Sequence, residues 1–418
     1  MNFEEEFQTY IKNSLEVKTI VHWWDLYNGH YVELTPDIQK QLFHEAISKS
    51  GSYTSLGKSL NTPRKIISNC SKLIHRPNVL LLKKLCDYID FSRSEIERNI
   101  LNIGKSHFKP NLPFKLHNES GVEIRAAFLS DGHVPKNPTS CPVYSASEMD
   151  LQEKLIELCK IIFGEFDCEI KYGHKALETK FPAVIGTALE LGGVPRGDKR
   201  LVNCYIPKDI VTGGGKLKRI YLSRVFDDEG DVCLDKYGKR AVRLTRTVNV
   251  SDCKNIKLYQ GKWTRCIVSN APISNLIRGE QLLLRKLGID AKIYNEGFYR
   301  SRKDKITVKW RIQIGQQDSI KKFESEVGFS LEEKRNKLNE LINSYVKRKL
   351  PNNCGKNLVI EIGKKYCQRN GFFRYSDLSK DFVSMKFSSN FAGSHLKSLL
   401  NEGIIRKIER GKYVINRR

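Results

Sequence analysis

Apolar residues recur at helical spacing over much of the first hundred residues and again after residue 358, whereas the middle of the chain combines helical spacing with alternation. The clearest alternating stretch is Ile306–Ile314, in which the apolar side chains share one face and Thr307, Lys309, Arg311 and Gln313 share the other. Such a strand packs a core with one face and offers the other to solvent or to a ligand. The pattern predicts an α+β protein with helical modules towards both ends.

Two short helices joined by a tight turn are predicted at about residues 53–73, inside an all-α segment that spans 1–103. This arrangement is typical of a helix-turn-helix. On the second helix Ile66, Ile67 and Cys70 are expected to face inward. The outward side chains suit phosphates and base edges; they are Arg64, Lys65, Ser68, Asn69 and Lys72. The alternative is a helical bundle with a solvated basic face.

Stretches rich in glycine, proline and charge divide the rest of the chain. Residues 104–118 and 350–357 are predicted linkers. A run of three glycines at 213–215 separates two regions of mixed helix and strand, at 119–213 and 214–349. The chain is therefore predicted to contain four folded modules, which agrees with a length of 418 residues at about 150 residues per domain.

The second mixed region carries polar rows that could read DNA. Besides the row on Ile306–Ile314, Arg243 and Thr245 belong to a less regular row. Arginine and glutamine reach guanine and adenine edges, and basic side chains pair with phosphates. A basic cluster precedes the regular row; it comprises Arg300, Arg302, Lys303 and Lys305. Ordinary solvated strand faces are the alternative interpretation.

Residues 358–418 show three helical patterns followed by two strands that meet at a basic turn. This order resembles a winged-helix domain. Asn390, His395 and Lys397 would lie on its reading helix, and Arg410 and Lys412 on its wing. Winged helices also mediate protein contacts, so DNA binding is one of two interpretations.

The charge balance strengthens the expectation of a polyanionic partner. The chain has 72 Lys and Arg against 47 Asp and Glu, a net charge of +25 and a pI of about 9.5. Such an excess attracts nucleic acid, with an anionic membrane surface as the competing partner. The sequence has no stretch of 18 apolar residues, its start is acidic, and its eleven cysteines include no Cys-x-x-Cys pair. We therefore expect no membrane segment, reduced thiols and a cytoplasmic protein that associates with the nucleoid when bound to DNA.

Two stretches, residues 124–132 and 222–230, repeat one pattern. Each has an apolar helical stripe, then an acid on that stripe, then a glycine that can end the helix. The acids are Asp131 and Glu229, followed by Gly132 and Gly230. A carboxylate at the end of a buried stripe is costly unless a cation or hydrogen bonds stabilise it. A pair of such acids indicates a metal site.

These stretches resemble the two signature helices of the LAGLIDADG homing endonucleases, and the similarity extends over roughly residues 112–349. The resemblance implies two pseudo-symmetric αββαββα halves, with saddle-shaped antiparallel sheets and paired helices that bring Asp131 and Glu229 together. It assigns those acids to Mg²⁺ or Mn²⁺ and the glycines to the motif ends. Lys199 and Lys334 match the family's basic residue near the scissile phosphate.

The resemblance implies a metal-dependent, site-specific endonuclease of double-stranded DNA that acts as a monomer, because one chain carries both motifs. The alternative is a non-cleaving DNA-binding regulator built on the same scaffold. Arg125 and Arg224 depart from the small residues that the family prefers near the helix contact, so the helix packing is expected to be altered. Asp228, next to Glu229, is expected to point into solvent, because neighbouring positions on a helix face different sides.

Overall fold

The computed structural model describes residues 2–104, 107–173, 176–200, 204–235, 239–250, 272–300, 306–345, 354–385, 387 and 391–416. It divides into two compact units. The first comprises Met1–Glu229, Thr245–Leu287 and Ile293–Arg311; the second comprises Gly230–Leu244, Gly288–Lys292 and Ile312–Arg418. Across the described ranges, no helix is both long and apolar enough to cross a membrane.

The N-terminal part of the first unit is helical. Its helices are α1 (Phe3–Asn13), α2 (Pro36–Ser50), α3 (Tyr53–Ser59), α4 (Arg64–Ser71), α5 (Val79–Ile89) and α6 (Arg93–Arg98). The turn between α3 and α4 confirms the predicted pair of short helices. On α4, Ile67 and Cys70 are buried as expected, but Ile66 is 44% exposed. The prediction for Ile66 is wrong because α4 packs along the i, i+3 stripe of Ile67 and Cys70, and Ile66 lies beside that stripe.

Five short strands follow or interleave with these helices. They are β1 (Ile20–Val21), β2 (Val32–Leu34), β3 (Ile100–Ile103), β4 (Phe108–Pro110) and β5 (Phe114–Lys115). Strand β1 pairs with β5 and β2 pairs with β3, both antiparallel. The prediction that residues 1–103 are all α-helical is therefore wrong, because β1, β2 and β3 lie within that segment and pair through their backbones. The predicted linker at 104–118 thus contains two strands, and the side chains of Phe108 and Phe114 are fully buried. A segment that buries aromatic rings and pairs its backbone is part of a core rather than a spacer.

The first mixed region builds a four-stranded antiparallel sheet and four helices. The elements are α7 (Glu119–Leu129), β6 (Gly132–His133), β7 (Val143–Ala146), α8 (Met149–Phe163), β8 (Gly164–Phe166), β9 (Ile170–Tyr172), β10 (Leu177–Lys180), α9 (Ala183–Leu191) and α10 (Lys208–Thr212). The sheet order is β6-β7-β10-β9, and β8 pairs separately with β4. The amphipathic helix α8 buries Leu155 and Cys159.

The second mixed region repeats this order of elements, except that its described residues have no strand at the position of β8. It contains α11 (Gly215–Glu229), β11 (Gly230–Leu234), β12 (Arg240–Asn249), α12 (Asn275–Lys286), β13 (Lys292–Arg300), β14 (Ile306–Ile314), α13 (Gln317–Glu326) and α14 (Glu332–Asn343). The strands of this sheet lie in the order β11-β12-β14-β13. In both sheets the fourth strand along the chain therefore lies between the second and the third. On β14 the alternation is as predicted, with Val308, Trp310, Ile312 and Ile314 buried.

A small module closes the chain within the second unit. It contains α15 (Cys354–Asn370), β15 (Phe373–Arg374), α16 (Tyr375–Ser384), α17 (Phe391–Asn401), β16 (Ile405–Glu409) and β17 (Lys412–Ile415). Three helices and a hairpin agree with the predicted element order, and a third short strand extends the sheet to β15-β17-β16. Phe373, Phe382 and Leu399 belong to its core.

Candidate active site at the ends of two adjacent helices

Helices α7 and α11 pack against each other in the first unit, and both motif acids lie at their C-terminal ends. Asn118 caps α7 through a 2.8 Å hydrogen bond from the Gly121 amide, and α7 ends at Leu129. Gly132 is required where the chain leaves the helix, because a Cβ there would lie 2.5 Å from the Phe128 Cα. The sequence thus carries α7 directly into β6 and leaves Asp131 at the junction.

The two arginines that depart from the resemblance are buried and bonded. Arg125 donates to both carboxylate oxygens of Asp209, at 2.8 and 2.6 Å, and to the Leu116 carbonyl at 2.9 Å. Arg224 lies 3.3 Å from Asp228 and donates to the Tyr144 hydroxyl. Burial of each guanidinium is offset by these charge-assisted bonds, so both fit within the packed interior.

The expectation that Asp228 points into solvent is wrong. Its carboxylate is fully buried and accepts a 2.7 Å hydrogen bond from the Tyr144 hydroxyl. Burial raises the pKa of Asp228 to about 7, although Arg224 opposes the shift. The side chain turns inward because Arg224, one helical turn earlier, and Tyr144 on β7 both offer donors there.

Asp131 and Glu229 are electrostatically coupled. The pKa of Asp131 is raised to about 6, first by burial and then by the negative charge of Glu229, while Lys199 and Arg246 oppose the shift. The negative charge of Glu229, at the end of α11, thus acts on Asp131 at the end of α7.

Lys199 joins this site. Its ammonium donates to the carbonyls of Phe128 at 3.0 Å and of Ser130. Burial and the neighbouring Arg246 lower the pKa of Lys199 to about 8. A cation at the last carbonyls of α7 also complements the negative end of the helix dipole.

Arg246 was not anticipated from the sequence, yet it contacts more of the site than any predicted residue. It lies on β12 and donates from Nη2 to Glu280 at 2.5 Å and from Nη1 to Glu229 at 3.2 Å. Its Nη1 also donates to the Leu129 carbonyl at 3.2 Å. Burial alone would lower the pKa of Arg246, but Glu280 and Glu229 raise it above its ordinary value. Arg246 thus neutralises one motif acid and one buried acid of α12.

A cavity of about 420 Å³ opens beside these groups. Its lining includes both cations and one motif acid; the residues are Leu129, Ser130, His133, Asp198, Lys199, Arg200, Cys204, Glu229, Arg246, Thr247, Val248, Ser274 and Leu276. Within the described ranges no group of three or more His, Cys, Asp or Glu side chains is placed to hold a metal ion. Mg²⁺ commonly takes one or two protein carboxylates and completes its shell with water and substrate phosphate, so such an ion would need no protein ligands beyond Asp131 and Glu229.

The fourth predicted catalytic residue, Lys334, lies on the first turn of α14 in the second unit. Its ammonium is 5.9 Å from the centre of the Phe329 ring. Gly230 begins β11 in the same unit. The catalytic role of Lys334 stays a prediction.

The predicted residues of the helix-turn-helix lie on and directly after α4. Arg64, Lys65 and Lys72 are exposed, and Ser68 and Asn69 are half-buried. The exposed face therefore carries three positive charges, and its role in phosphate contact stays a prediction.

The polar row on β14 is half-buried and partly neutralised. Arg311 lies 2.5 Å from Glu296 of β13, and Lys309 lies 3.4 Å from the same carboxylate. Thr307 and Gln313 complete the row. The row is positioned by side-chain pairs across the sheet, and its role in DNA contact stays a prediction.

The row on β12 is half-buried at Arg243 and Thr245, and Arg243 donates to Asp231 of β11 at 3.0 Å. Arg300 ends β13. The other members of the predicted basic cluster and one residue of the reading helix lie outside the described residues; they are Arg302, Lys303, Lys305 and Asn390.

In the C-terminal module, Lys397 and Arg410 are exposed. Lys412 lies 2.7 Å from Glu409. His395 is half-buried, with its ring 4.7 Å from that of Phe391, and burial lowers its pKa. His395 therefore packs within the module, whereas Lys397 and Arg410 are accessible to a partner.

No family model and no curated protein matches the chain. Among solved structures, full-length DUF199/WhiA from Thermatoga maritima is similar at 12% identity and a TM-score of 0.33, over 70% of this chain and 93% of that one. The N-terminal LAGLIDADG domain of DUF199/WhiA is similar at 11% identity and a TM-score of 0.28, over 52% and 87%. I-DmoI in complex with DNA and Ca is similar at 12% identity and a TM-score of 0.31, over 54% and 98%.

Proposed function

We propose that the protein is a site-specific endonuclease of double-stranded DNA that hydrolyses phosphodiester bonds with a divalent metal ion. The observation that carries the proposal is the coupling of Asp131 and Glu229 at the ends of two packed helices, next to Lys199. A second support is the net charge of +25, which favours a polyanionic substrate. Because one chain carries both helices, a single copy would supply a complete pair of acids.

The carboxylates of Asp131 and Glu229 would hold Mg²⁺ or Mn²⁺. When bound, the ion supplies Lewis-acid stabilisation of the phosphate and a nucleophilic water at neutral pH. Lys199 lines the cavity and has a pKa lowered to about 8 by burial, so its ammonium can lie beside a phosphate or exchange a proton near neutral pH. Lys334 is proposed as its counterpart in the second half.

Three exposed or half-exposed surfaces would bind the duplex. The α4 face with Arg64 and Lys65 would contact phosphates, and the β14 row with Arg311 would contact base edges. Arg410 would contact the backbone from the hairpin turn. A footprint built from several modules explains how a protein could recognise a long, asymmetric target.

The test requires a target sequence, which can be selected from random duplexes with the wild-type protein in chelator. Plasmid carrying that target should be cut in both strands when Mg²⁺ is added. The double variant Asp131→Asn/Glu229→Gln should bind the target with unchanged affinity and leave it intact. Tight, specific binding by wild type without any nicking in Mg²⁺ or Mn²⁺ would contradict the proposal.

The second candidate is a DNA-binding regulator that does not cleave. The observation that favours it is the Arg246 guanidinium, which already neutralises Glu229 at 3.2 Å. A permanent internal cation could replace the metal and leave only a binding scaffold. The same plasmid assay separates the two candidates, because a regulator would give target binding that is indifferent to Mg²⁺ and to the double substitution.

A further inference from the structure

Arg246 connects three helices at the candidate site. Its Nη1 donates to Glu229, the last residue of α11, and to the carbonyl of Leu129, the last residue of α7. Its Nε and Nη2 donate to Glu280 of α12, at 3.1 and 2.5 Å. One planar guanidinium therefore divides its donors between a motif acid and a second carboxylate.

The two carboxylates hold Arg246 unequally. Glu280 is fully buried, and its Oε1 accepts charge-assisted hydrogen bonds from both Nε and Nη2 of Arg246. Glu229 receives a single contact, its side chain is 30% exposed, and it lines the 420 Å³ cavity. The bond to Glu280 is anchored, whereas the bond to Glu229 can be exchanged for another cation that enters the cavity.

We propose that Arg246 is a resident counter-cation of the carboxylate pair. In the metal-free protein its guanidinium pairs with Glu229, and a divalent ion binds by displacing the guanidinium from that carboxylate. Glu280 retains Arg246 during the exchange, so the charge stays buried and paired. This inference rests on the proposed metal site at Asp131 and Glu229. It assigns Arg246 and Glu280 as positioning residues that set how tightly the ion binds.

The proposal predicts opposite effects for two variants. In Glu280→Gln the carboxylate that holds Arg246 loses its charge. Glu229 is then the only acid paired with Arg246, so the ion pair is harder to break and Mn²⁺ should bind about tenfold more weakly. In Arg246→Met/Glu280→Met the competing cation leaves together with its partner, so no unpaired buried charge remains. Mn²⁺ should then bind about tenfold to a hundredfold more tightly. This factor corresponds to the one charge-assisted hydrogen bond that the ion must break in the wild-type protein and not in the variant.

The experiment is a titration of the full chain with Mn²⁺, in which free ion is measured by electron paramagnetic resonance without DNA. Asp131→Asn/Glu229→Gln defines the signal of a lost site, and Glu153→Gln, at an exposed position of α8, controls for the loss of one negative charge in Glu280→Gln. Circular dichroism verifies that each variant is folded. These controls separate an effect at Glu229 from a general change in charge or in folding.

Tighter binding by the double Met variant and weaker binding by Glu280→Gln would support the inference. It is also supported if only the double Met variant binds Mn²⁺, a result that would disfavour the nuclease and favour the regulator. Wild-type binding that neither substitution changes would overturn the inference and leave the metal site in place. Absence of binding in every folded variant would overturn both the inference and the proposed metal site.

Discussion

The buried carboxyl of Asp131 gives the protein a pH-dependent stability that one substitution can remove. Its pKa is raised from the ordinary value of 3.8 to about 6 by burial and by Glu229. Because the folded state holds this proton more tightly than the unfolded state, the stabilisation is complete below pH 3.8 and is lost as the pH rises through about 6. A difference of about two pKa units corresponds to about 3 kcal/mol at neutral pH.

Asp131→Asn keeps the size of the side chain and cannot ionise. The variant should therefore be more stable than wild type by up to about 3 kcal/mol above pH 7 and by little near pH 4. Urea unfolding, followed by circular dichroism at several pH values, measures the difference. Glu153→Gln, at an exposed position of α8, is the control for replacing a carboxylate by an amide. A gain from Asp131→Asn that is already complete at pH 4, or a loss at neutral pH, would refute the reasoning.

Two further substitutions test the packing around the site by the same unfolding measurement. Gly132→Ala should destabilise the protein by about 3 kcal/mol, because the new Cβ would lie 2.5 Å from the Phe128 Cα. Gly214→Ala is the control: a Cβ there would have no atom within 4 Å, so stability should change by less than about 1 kcal/mol. Equal effects of the two substitutions would contradict the close contact between residue 132 and Phe128. Tyr144→Phe removes the hydroxyl that bonds Asp228 and should cost about 1–3 kcal/mol. No loss there would mean that the buried network does not stabilise the fold.

Elements with strong periodicity were predictable from the sequence. The strand Ile306–Ile314 has the predicted bounds, because its buried side chains follow one period without interruption. Residues 104–118 were not, since their local composition resembles a spacer while their burial depends on partners elsewhere in the chain. Phe108 faces Phe166 of β8, with 6.2 Å between the ring centres. Phe166 is distant in the sequence, so the residues near Phe108 in the chain do not reveal this partner.

The sequence predicted the position of Asp131 and Glu229 at the ends of two helices, but it did not predict the charged network around them. Asp131 and Glu229 carried a repeated local signal, whereas Arg246 and Glu280 each look like an interruption of a hydrophobic pattern. Arg246 occupies an inward position on β12, in step with Val242 and Leu244, and Glu280 lies between Ile277 and Leu284 on the apolar stripe of α12. Two opposite charges at core positions of different elements are a signal that sequence can give, because buried charges are usually paired.

Lys199 and Arg246 have a structural role at the end of α7 as well as a position beside the acids. The two roles must be distinguished by experiment before Lys199 or Arg246 is assigned to catalysis. The carbonyls of Phe128, Leu129 and Ser130 at the end of α7 accept hydrogen bonds from Lys199 or Arg246. These are the carbonyls that a helix leaves without internal partners, so both cations also terminate α7 and offset its dipole. Loss of cleavage in Lys199→Met would therefore follow from a displaced Asp131 as readily as from a missing catalytic group. Only a shifted pH profile in a Lys199→Arg variant of unchanged stability would identify chemistry at the ammonium itself.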